Sequence, residues 1–320
     1  MMTVQINVRD VVTQEKEQQG YAVRPNLGLT EAGRNAKGVA GACCPIPIDE
    51  QPSLAANDLC DIRNGRAEFI LPEIEDGSVD LVITSPPYNI GKEYENALSL
   101  AAYLEWMGAI LRECHRILAA NGAMCWQLGN YVSAGEVIPL DLYFIPMLRA
   151  LGMKVRNRVI WTFGHGLHCS HRLSGRYETV IWATKSDSYR FDLDAIRVPQ
   201  KYPGKRHFKG PKKGQLSGNP LGKNPGDVWD IPNVKHNHPE KTAHPCQFPE
   251  ALVERLVRAL TAPGDLVIDP FAGAGTVGVV CNRNGRRSIL IEKESAYAQI
   301  ARQRLEVSLT RRSMRVANPP

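Results

Sequence analysis

The stretch that most constrains the fold of this chain lies at residues 266–278. An apolar run opens it and predicts a buried strand, which a glycine-rich turn and a helix beginning at Thr276 are expected to follow. Glycines in such a turn, here Gly273 and Gly275, let the backbone approach a nucleoside-type cofactor closely. The stretch therefore predicts an α/β sheet with a cofactor at the carboxyl end of this strand.

A carboxylate marks the end of the next predicted strand. Residues 288–291 form a second short apolar run, and Glu292 closes it 16 residues after Thr276. In dinucleotide-binding folds a carboxylate about 20 residues beyond the glycine turn binds the ribose hydroxyls. Glu292 is therefore predicted to bind a ribose diol, at a spacing somewhat shorter than usual.

Another strand end comes earlier in the chain. The apolar run 79–83 predicts a buried strand, and Ser85, Pro86, Pro87 and Tyr88 follow it closely. The hydroxyl and the proline carbonyls accept hydrogen bonds, the prolines have no N–H, and the tyrosine ring offers a flat surface. Such a group suits the binding of a planar base by its exocyclic amino group. By itself the stretch is equally typical of a rigid turn with a tyrosine packed beneath it.

The rest of the chain alternates between helical and strand patterns. Apolar residues at helical spacing predict helices at 100–118, 137–151, 250–260 and 295–307. Runs rich in apolar, β-branched and aromatic residues predict strands at 67–71, 123–128, 155–163 and 177–184. Residues 1–55 are polar and irregular and predict a loosely attached arm. Asp58 is a candidate polar contact to a cofactor or, equally, a turn or capping aspartate.

One segment, 197–223, is strongly basic. It holds eight Lys or Arg residues and no Asp or Glu, with Tyr202 and Phe208 among them, in a chain of net charge +6. Basic residues interleaved with aromatic ones predict contact with a phosphate backbone, and a solvated flexible loop is the alternative. The residues expected at the phosphates are Lys201, Lys205, Arg206, Lys209, Lys212 and Lys213.

Two histidine-rich segments raise the question of a metal. Residues 165–171 and 236–246 each hold three histidines and one cysteine, and zinc sites often combine two such clusters. We weigh a metal site as the less favoured interpretation and expect no metal. The first segment is expected instead to border the mouth of the site, with His and Arg side chains that reach phosphates or a base.

Cysteines and apolar runs bear on location. The eight cysteines are scattered, several of them within apolar runs, as is typical of reduced, buried thiols. The sequence has no run of 18 apolar residues that would cross a membrane, and its first residues lack the apolar core of a signal peptide. These features predict a cytoplasmic protein.

With these motifs in place, the chain resembles the β-class DNA amino-methyltransferases over roughly residues 55–307. The motifs that carry the resemblance are TSPPYN at 84–89, HPCQFP at 244–249, DPFAGAGT at 269–276 and the acidic strand end at Glu292. Since the catalytic motif precedes the cofactor motif, the resemblance implies a circularly permuted Rossmann-like methyltransferase sheet. The implied parts are a polar arm at 1–55, a catalytic half at 56–186, a basic target-recognition insert at 187–235, a cofactor-binding half at 236–309 and a tail at 310–320.

The resemblance also implies an activity. S-adenosylmethionine would donate a methyl group to the exocyclic amino group of a base flipped out of double-stranded DNA. Tyr88 would stack on that base, while Ser85 and the carbonyl of Pro86 accept hydrogen bonds from its amino group. The residues expected to hold the cofactor are His244, Asp269, Phe271, Gly273, Gly275, Thr276 and Glu292.

Ser85 bears on the choice of base. In this family a serine at that position usually accompanies N4 of cytosine and an aspartate N6 of adenine, so cytosine is favoured and adenine is the alternative. Methyltransferases of RNA or protein, and a DNA-binding module without activity, are the alternatives from other classes. A cognate restriction endonuclease is a plausible partner, and the sequence leaves monomer and homodimer open.

The chain contains a Pro-Cys dipeptide, Pro245-Cys246. Cytosine C5-methyltransferases also have a Pro-Cys dipeptide, and its cysteine is their nucleophile. In that family it follows the cofactor motif, whereas here it precedes that motif. Cys246 is therefore expected to be a small packing residue near the cofactor.

Overall fold

Eight strands form the central sheet of this computed structural model, which describes residues 59–89, 98–133, 135–166 and 168–317, with side chains up to residue 310. The predicted arm and Asp58 lie outside the described residues. The strands are β1 (Cys60–Asn64), β2 (Val79–Thr84), β3 (Leu118–Leu128), β4 (Asn130–Ser133), β5 (Glu136–Pro139), β6 (Lys154–Thr162), β7 (Tyr177–Thr184), β8 (Val228–Asp230), β9 (Leu266–Asp269) and β10 (Arg287–Glu292). Strands β4 and β5 pair with each other as an antiparallel hairpin apart from the central sheet.

The strand order of the central sheet is β1-β10-β9-β2-β3-β7-β6-β8. Neighbouring strands are parallel, except that β7 runs antiparallel to β3 and β6. The strands that come last in the chain, β9 and β10, therefore lie between β1 and β2, which confirms the predicted circular order. The carboxyl ends of β2, β3, β9 and β10 and the amino end of β7 meet at one edge of the sheet.

Helices cover both surfaces of the sheet. They are α1 (Ala67–Ile70), α2 (Leu100–Ile117), α3 (Asp141–Ala150), α4 (Glu250–Leu260), α5 (Thr276–Arg283) and α6 (Ser295–Ala317). Ile83 of β2 belongs to one apolar cluster with α4 and α5, whereas Val82 belongs to a second with α2 and α3. Because successive strand residues point to opposite surfaces, β2 is buried on both sides, as a strand of a doubly wound sheet should be.

Most of the predicted elements are confirmed. Helix α4 and strand β7 span the predicted residues, and α2 and β6 differ from the predicted bounds by one residue. Thr276 opens α5 as expected. In the described part of the chain, no helix combines the length and the apolarity needed to cross a membrane.

The strand predicted at 67–71 is wrong. Residues Ala67–Ile70 form α1, and a short 3₁₀ turn, Leu71–Glu73, follows it. Ala67 and Leu71 are buried while Phe69 between them is 69% exposed. Burial at positions four apart is a helical pattern, since a strand would bury alternate residues.

The helix predicted at 137–151 is also wrong in its first part. Glu136–Pro139 forms β5, and the helix starts only at Asp141. Val137 and Ile138 are β-branched and favour a strand, and Pro139 cannot donate the hydrogen bond that a helix interior requires. Pro146 is nevertheless tolerated inside α3.

The last helix is longer than predicted. Helix α6 begins at Ser295, as expected, but runs to Ala317 rather than to about 307. The predicted tail from residue 310 is therefore helical over most of its length. The sequence did not predict this part of the helix, because the basic stretch from residue 310 lacks apolar residues repeated at helical spacing.

Candidate active site

A cavity of about 680 Å³ opens where the strand ends meet. It is bordered both by residues 84–89, here called the proline turn, and by residues 269–276, the glycine turn. Ten of the predicted site residues line it: Ser85, Pro86, Pro87, Tyr88, His244, Asp269, Phe271, Gly273, Thr276 and Glu292. Sequence motifs more than 150 residues apart thus share one pocket, whose volume is within the range of ligand sites.

One buried hydrogen bond joins the two turns directly. Strands β2 and β9 pair side by side, so that Thr84 and Asp269 leave the sheet as neighbours. Oγ1 of Thr84 donates to Oδ1 of Asp269 at 2.6 Å, and the backbone N–H of Phe271 donates to the same oxygen at 3.1 Å. Asp269 therefore fixes the start of the glycine turn and its position relative to the proline turn.

Burial makes the Asp269 carboxyl a weaker acid than an exposed aspartate. It raises the pKa of the Asp269 carboxyl from 3.8 to about 7, and the charge of Glu292 adds to the rise, while the two hydrogen bonds oppose it. Between pH 4 and 7 the folded protein therefore holds a proton that the unfolded chain has lost. By linkage, this group makes the folded state less stable as pH rises through that range.

Asp269→Asn should reveal this titration. Asparagine keeps an oxygen acceptor but carries no charge. The free energy of unfolding of the variant, relative to that of the wild type, should therefore increase with pH between pH 5 and 7. The increase should be on the order of 1 kcal/mol per pH unit and should level off above the folded pKa. Urea unfolding of both proteins at pH 5, 6, 7 and 8 measures it. A difference that stays constant with pH would mean that Asp269 is ionised throughout.

Two glycines give the glycine turn its shape. Gly273 and Gly275 have φ angles of +51° and +74°, in the left-handed region. A Cβ atom at Gly273 would lie 2.9 Å from Nε2 of His244, and one at Gly275 would lie 2.6 Å from Cβ of Ala301. Gly273 therefore borders the cavity, whereas Gly275 lets the turn pack against α6 and does not line the cavity.

Glu292 lies at the end of β10, as predicted, and organises the backbone around it. Its Oε2 accepts from the N–H of Gly273 and its Oε1 accepts from the N–H of Glu294, both at 2.8 Å. Burial raises its pKa, and these two hydrogen bonds act against the rise. A carboxylate has about four acceptor positions, so two hydrogen bonds leave Glu292 able to accept hydroxyl donors.

His244 is buried at the cavity wall. Its ring meets the ring of Tyr297 edge to face, with centroids 4.5 Å apart. Burial, together with the nearby charge of Lys241, lowers the pKa of His244 to about 4, so the ring is neutral at neutral pH. Cys246, predicted to be a small packing residue near the cofactor, lines the cavity but is exposed, whereas its neighbour Gln247 is buried.

The proline turn is tied to the elements around it. The hydroxyl of Tyr103 in α2 donates to the carbonyl of Pro87 at 2.9 Å. Asn89 adopts a φ of +59°, and its side-chain amide bonds both backbone groups of Leu98, at 2.7 and 3.0 Å. The carbonyl and hydroxyl acceptors of the turn are thus held on a rigid support.

Two polar side chains that the sequence reasoning missed surround Tyr88. Its hydroxyl donates to Oε1 of Gln127, and its oxygen lies 3.4 Å from Oε2 of Glu178 and 3.4 Å from Oγ of Ser85. Both missed residues line the cavity. Gln127 was detectable as a polar residue in the apolar run 123–128, whereas nothing in the sequence shows that Glu178 reaches the same place.

Part of the histidine-rich loop lines the cavity, whereas the basic residues of the insert lie outside it. Arg172 and Cys169 of the loop line the cavity, whereas His165, His168 and His171, which were expected there, do not line it. Within the described residues, no group of three or more His, Cys, Asp or Glu side chains is placed to hold a metal ion. The six basic residues predicted to contact phosphates are all exposed, and none lines the cavity. The insert closes on itself through backbone pairing of Val198 with Lys223.

Comparison with known sequences gives concordant results. The model of the N6/N4-type DNA methylase family matches residues 79–303. The type II methyltransferase M.BglII of Bacillus subtilis is 50% identical over 259 residues, which cover 81% of this chain and 72% of the relative.

Comparison with solved structures agrees on the fold. PvuII DNA methyltransferase, described as cytosine-N4-specific, superimposes with a TM-score of 0.63 at 22% identity over 82% of this chain and 94% of its own. TTHA0409 of Thermus thermophilus, crystallised with S-adenosyl-L-methionine, gives a TM-score of 0.57 at 28% identity, over 78% of this chain and 95% of its own. The central sheet described above is therefore a Rossmann-like methyltransferase sheet, as predicted.

Proposed function

Because this chain belongs to the N6/N4 DNA methylase family, we propose that it transfers a methyl group from S-adenosylmethionine to the exocyclic N4 of a cytosine at specific sites in double-stranded DNA. The observation that carries the proposal is the shared cavity. A turn of hydrogen-bond acceptors beside an aromatic ring opens into the same space as a glycine turn with a carboxylate partner.

The glycine turn fits S-adenosylmethionine. Gly273 lines the cavity beside the His244 ring, which a Cβ atom at Gly273 would meet at 2.9 Å, and Glu292 has acceptor capacity left for ribose hydroxyls. Glu292 would hold the ribose, and Asp269 and Phe271 would border the rest of the cofactor. By family resemblance, His244 and Thr276 would lie at its amino-acid end. When bound, this cofactor supplies an electrophilic methyl group on a positively charged sulfur.

The proline turn would hold the target base. Tyr88 offers its ring for stacking, and the Ser85 hydroxyl and the Pro86 carbonyl would accept hydrogen bonds from the amino group. These bonds would draw the nitrogen lone pair out of conjugation with the ring and make it available to a methyl group that the glycine-turn side of the cavity would hold. Since the methyl group is already electrophilic, positioning can supply much of the catalysis. A base inside this cavity must first be flipped out of the duplex.

Ser85 supports cytosine as the base, following the correlation within the family. Adenine N6 is the alternative, because the matching family includes both kinds of amino-methyltransferase and a hydroxyl acceptor can serve either amino group. The type II name of the relative M.BglII supports a role in restriction–modification, with a cognate endonuclease as partner. The six free cysteines among the described residues support the cytoplasm as location.

The basic insert would contact the DNA backbone. Its exposed lysines and arginine lie on a loop that also exposes Phe208 to 90%. A plot of log K for DNA binding against log salt has a negative slope. Replacing Lys212 and Lys213 with glutamine should make this slope shallower by roughly 1–2, since each lost phosphate contact removes about 0.9. Equilibrium binding to one DNA duplex at about 50–300 mM NaCl measures the slope.

Lys154→Gln is the matched control for this prediction. Lys154 is half-exposed and pairs with Asp187, and it lies at the amino end of β6, at the opposite edge of the sheet from the cavity. This substitution should leave the salt slope unchanged. An unchanged slope in the Lys212/Lys213 variant as well would put the DNA on another surface.

The decisive test is the identity of the methylated base. Unmethylated plasmid DNA would be incubated with the protein and labelled S-adenosylmethionine, digested to nucleosides and separated by mass spectrometry. N4-methylcytosine is expected. N6-methyladenine would overturn the choice of base and leave the cofactor and the site. 5-Methylcytosine would contradict the amino-group mechanism and assign Cys246 a nucleophilic role. Label found only in RNA or protein would overturn DNA as the substrate.

A further inference from the structure

A line of hydrogen bonds runs through four side chains at the cavity: Glu178, Gln127, Tyr88 and Ser85. We propose that Glu178 and Gln127 are positioning residues that fix the direction of these hydrogen bonds, so that the Ser85 hydroxyl presents its lone pairs to the amino group of the target base. The inference rests on the proposed function and deepens it, because it explains how a hydroxyl that can donate or accept is made to accept.

The four side chains come from neighbouring strands of the sheet. Ser85 and Tyr88 follow β2, Gln127 lies in β3, and Glu178 lies at the amino end of β7. The Tyr88 hydroxyl donates to Oε1 of Gln127, and Nε2 of Gln127 donates to Oε2 of Glu178. The oxygens of Ser85 and Tyr88 lie 3.4 Å apart. A continuous path therefore links a carboxylate to the acceptor proposed for the base.

The direction of this path follows from the chemistry of its first member. An ionised carboxylate only accepts hydrogen bonds, so Gln127 must turn its NH₂ group toward Glu178 and its carbonyl toward Tyr88. The single hydroxyl hydrogen of Tyr88 then goes to Gln127, and the Tyr88 oxygen can accept from Ser85. With its hydrogen directed at Tyr88, Ser85 offers its lone pairs to the base.

Packing and burial keep the path in place. The Tyr88 ring lies against the backbone at Gly129, where a Cβ atom would come within 2.8 Å of the ring. Gln127 is 1% exposed, so its amide has no room to exchange partners with water. Burial raises the pKa of Glu178, and the hydrogen bond that Gln127 donates opposes this rise because it stabilises the carboxylate form.

The test compares Glu178→Gln with Tyr88→Phe. A glutamine at 178 has nearly the same shape but can donate as well as accept, so the amide of Gln127 is no longer forced into one orientation. We expect kcat for methylation of plasmid DNA to fall about tenfold or more, the effect of losing one hydrogen bond to a charged group. The KM for DNA and the Kd for S-adenosylmethionine should stay within about twofold.

The double variant separates a positioning role from a direct one. Tyr88→Phe removes the hydroxyl that links Glu178 to Ser85 and keeps the ring, so it should lower kcat to a similar extent. Adding Glu178→Gln to Tyr88→Phe should then cause no further loss beyond about twofold. Losses that multiply would overturn the proposal, because Glu178 would then act on the base without Tyr88. A Glu178→Gln enzyme with wild-type kcat would overturn it as well.

Two further proteins complete the experiment. Gln127→Met breaks the same path in a side chain of similar shape, and should also lower kcat without adding to the effect of Tyr88→Phe, so the proposal remains testable if Glu178→Gln does not fold. Glu306→Gln is the control, because Glu306 is exposed on α6 and does not line the cavity. It should leave kcat unchanged. A wild-type protein that methylates no DNA would overturn the proposed function itself, and this inference with it.

Discussion

Ser85→Ala should lower methyl transfer by roughly a hundredfold or more while S-adenosylmethionine binds as in the wild type. Alanine removes the hydrogen-bond acceptor that we propose for the amino group of the base, and the loss of one such preorganised group typically costs a factor of about 10²–10³. Ser85 belongs to the proline turn and not to the glycine turn, so the cofactor side should be intact. Tyr88→Ala should cause a loss of the same order, since it removes both the stacking surface and the hydroxyl beside Ser85. Single-turnover methylation and calorimetric titration of the cofactor measure the two effects.

Ser188→Ala is the matched control. Ser188 is exposed and lies outside the cavity, so this variant should behave as the wild type in both assays. If Ser85→Ala or Tyr88→Ala lost cofactor affinity as much as methyl transfer, the proline turn would belong to the cofactor site and its assignment to the base would be wrong.

Gly273→Val should abolish cofactor binding at ordinary concentrations, with Kd raised roughly a hundredfold. A β-branched residue is strained at a φ of +51°, and its Cβ would lie 2.9 Å from the His244 ring. Relief of this clash should displace the His244 ring or the glycine turn into the proposed cofactor site, and a loss of about 3 kcal/mol of binding free energy corresponds to that factor. The same N–H also donates to Glu292, so a displaced backbone would disturb the predicted ribose site too. Calorimetry and thermal shift with S-adenosylmethionine measure the loss.

Gly152→Val is the control that distinguishes a loss of the cofactor site from the effect of backbone strain alone. Gly152 has a φ of +79°, a Cβ there would meet no atom within 4 Å, and the residue does not line the cavity. This variant should lose stability through backbone strain but keep its cofactor affinity. Equal affinity in the Gly273 and Gly152 variants would show that the glycine turn is not where the cofactor binds.

Features encoded locally were predictable from the sequence. The strand before Ser85, the turn at Gly273 and the helix from Thr276 each have a short pattern with a physical cause, and the structure has them as expected. Helix α4 could be placed to the residue because its apolar stripe is continuous. Strand 67–71 could not be told from a helical turn, because five residues contain too few repeats to separate a period of about 2 from one of about 3.6.

Features that depend on pairing between distant strands were not predictable. Glu178 reaches Tyr88 because β7 runs antiparallel to β3, which brings its amino end to the edge where β2 and β3 end. Had β7 been parallel, Glu178 would lie at the far edge of the sheet. No residue in the run 177–184 signals that direction, and the Thr84–Asp269 contact likewise joins residues 185 positions apart.

Strand β1 stands at one edge of the sheet with β10 as its neighbour, and Asn64 pairs with Glu292, 228 residues later. At a synthesis rate of about 5–20 residues per second, β1 leaves the ribosome roughly 10–45 s before its partner exists. During that time the nascent chain exposes an unpaired strand edge. The hydrogen bond from Thr84 to Asp269 cannot form until β9 has been synthesised. Ribosome-bound chains that stop short of β9 should therefore bind neither cofactor nor base, because the proposed site is complete only after β9 and β10 have been synthesised.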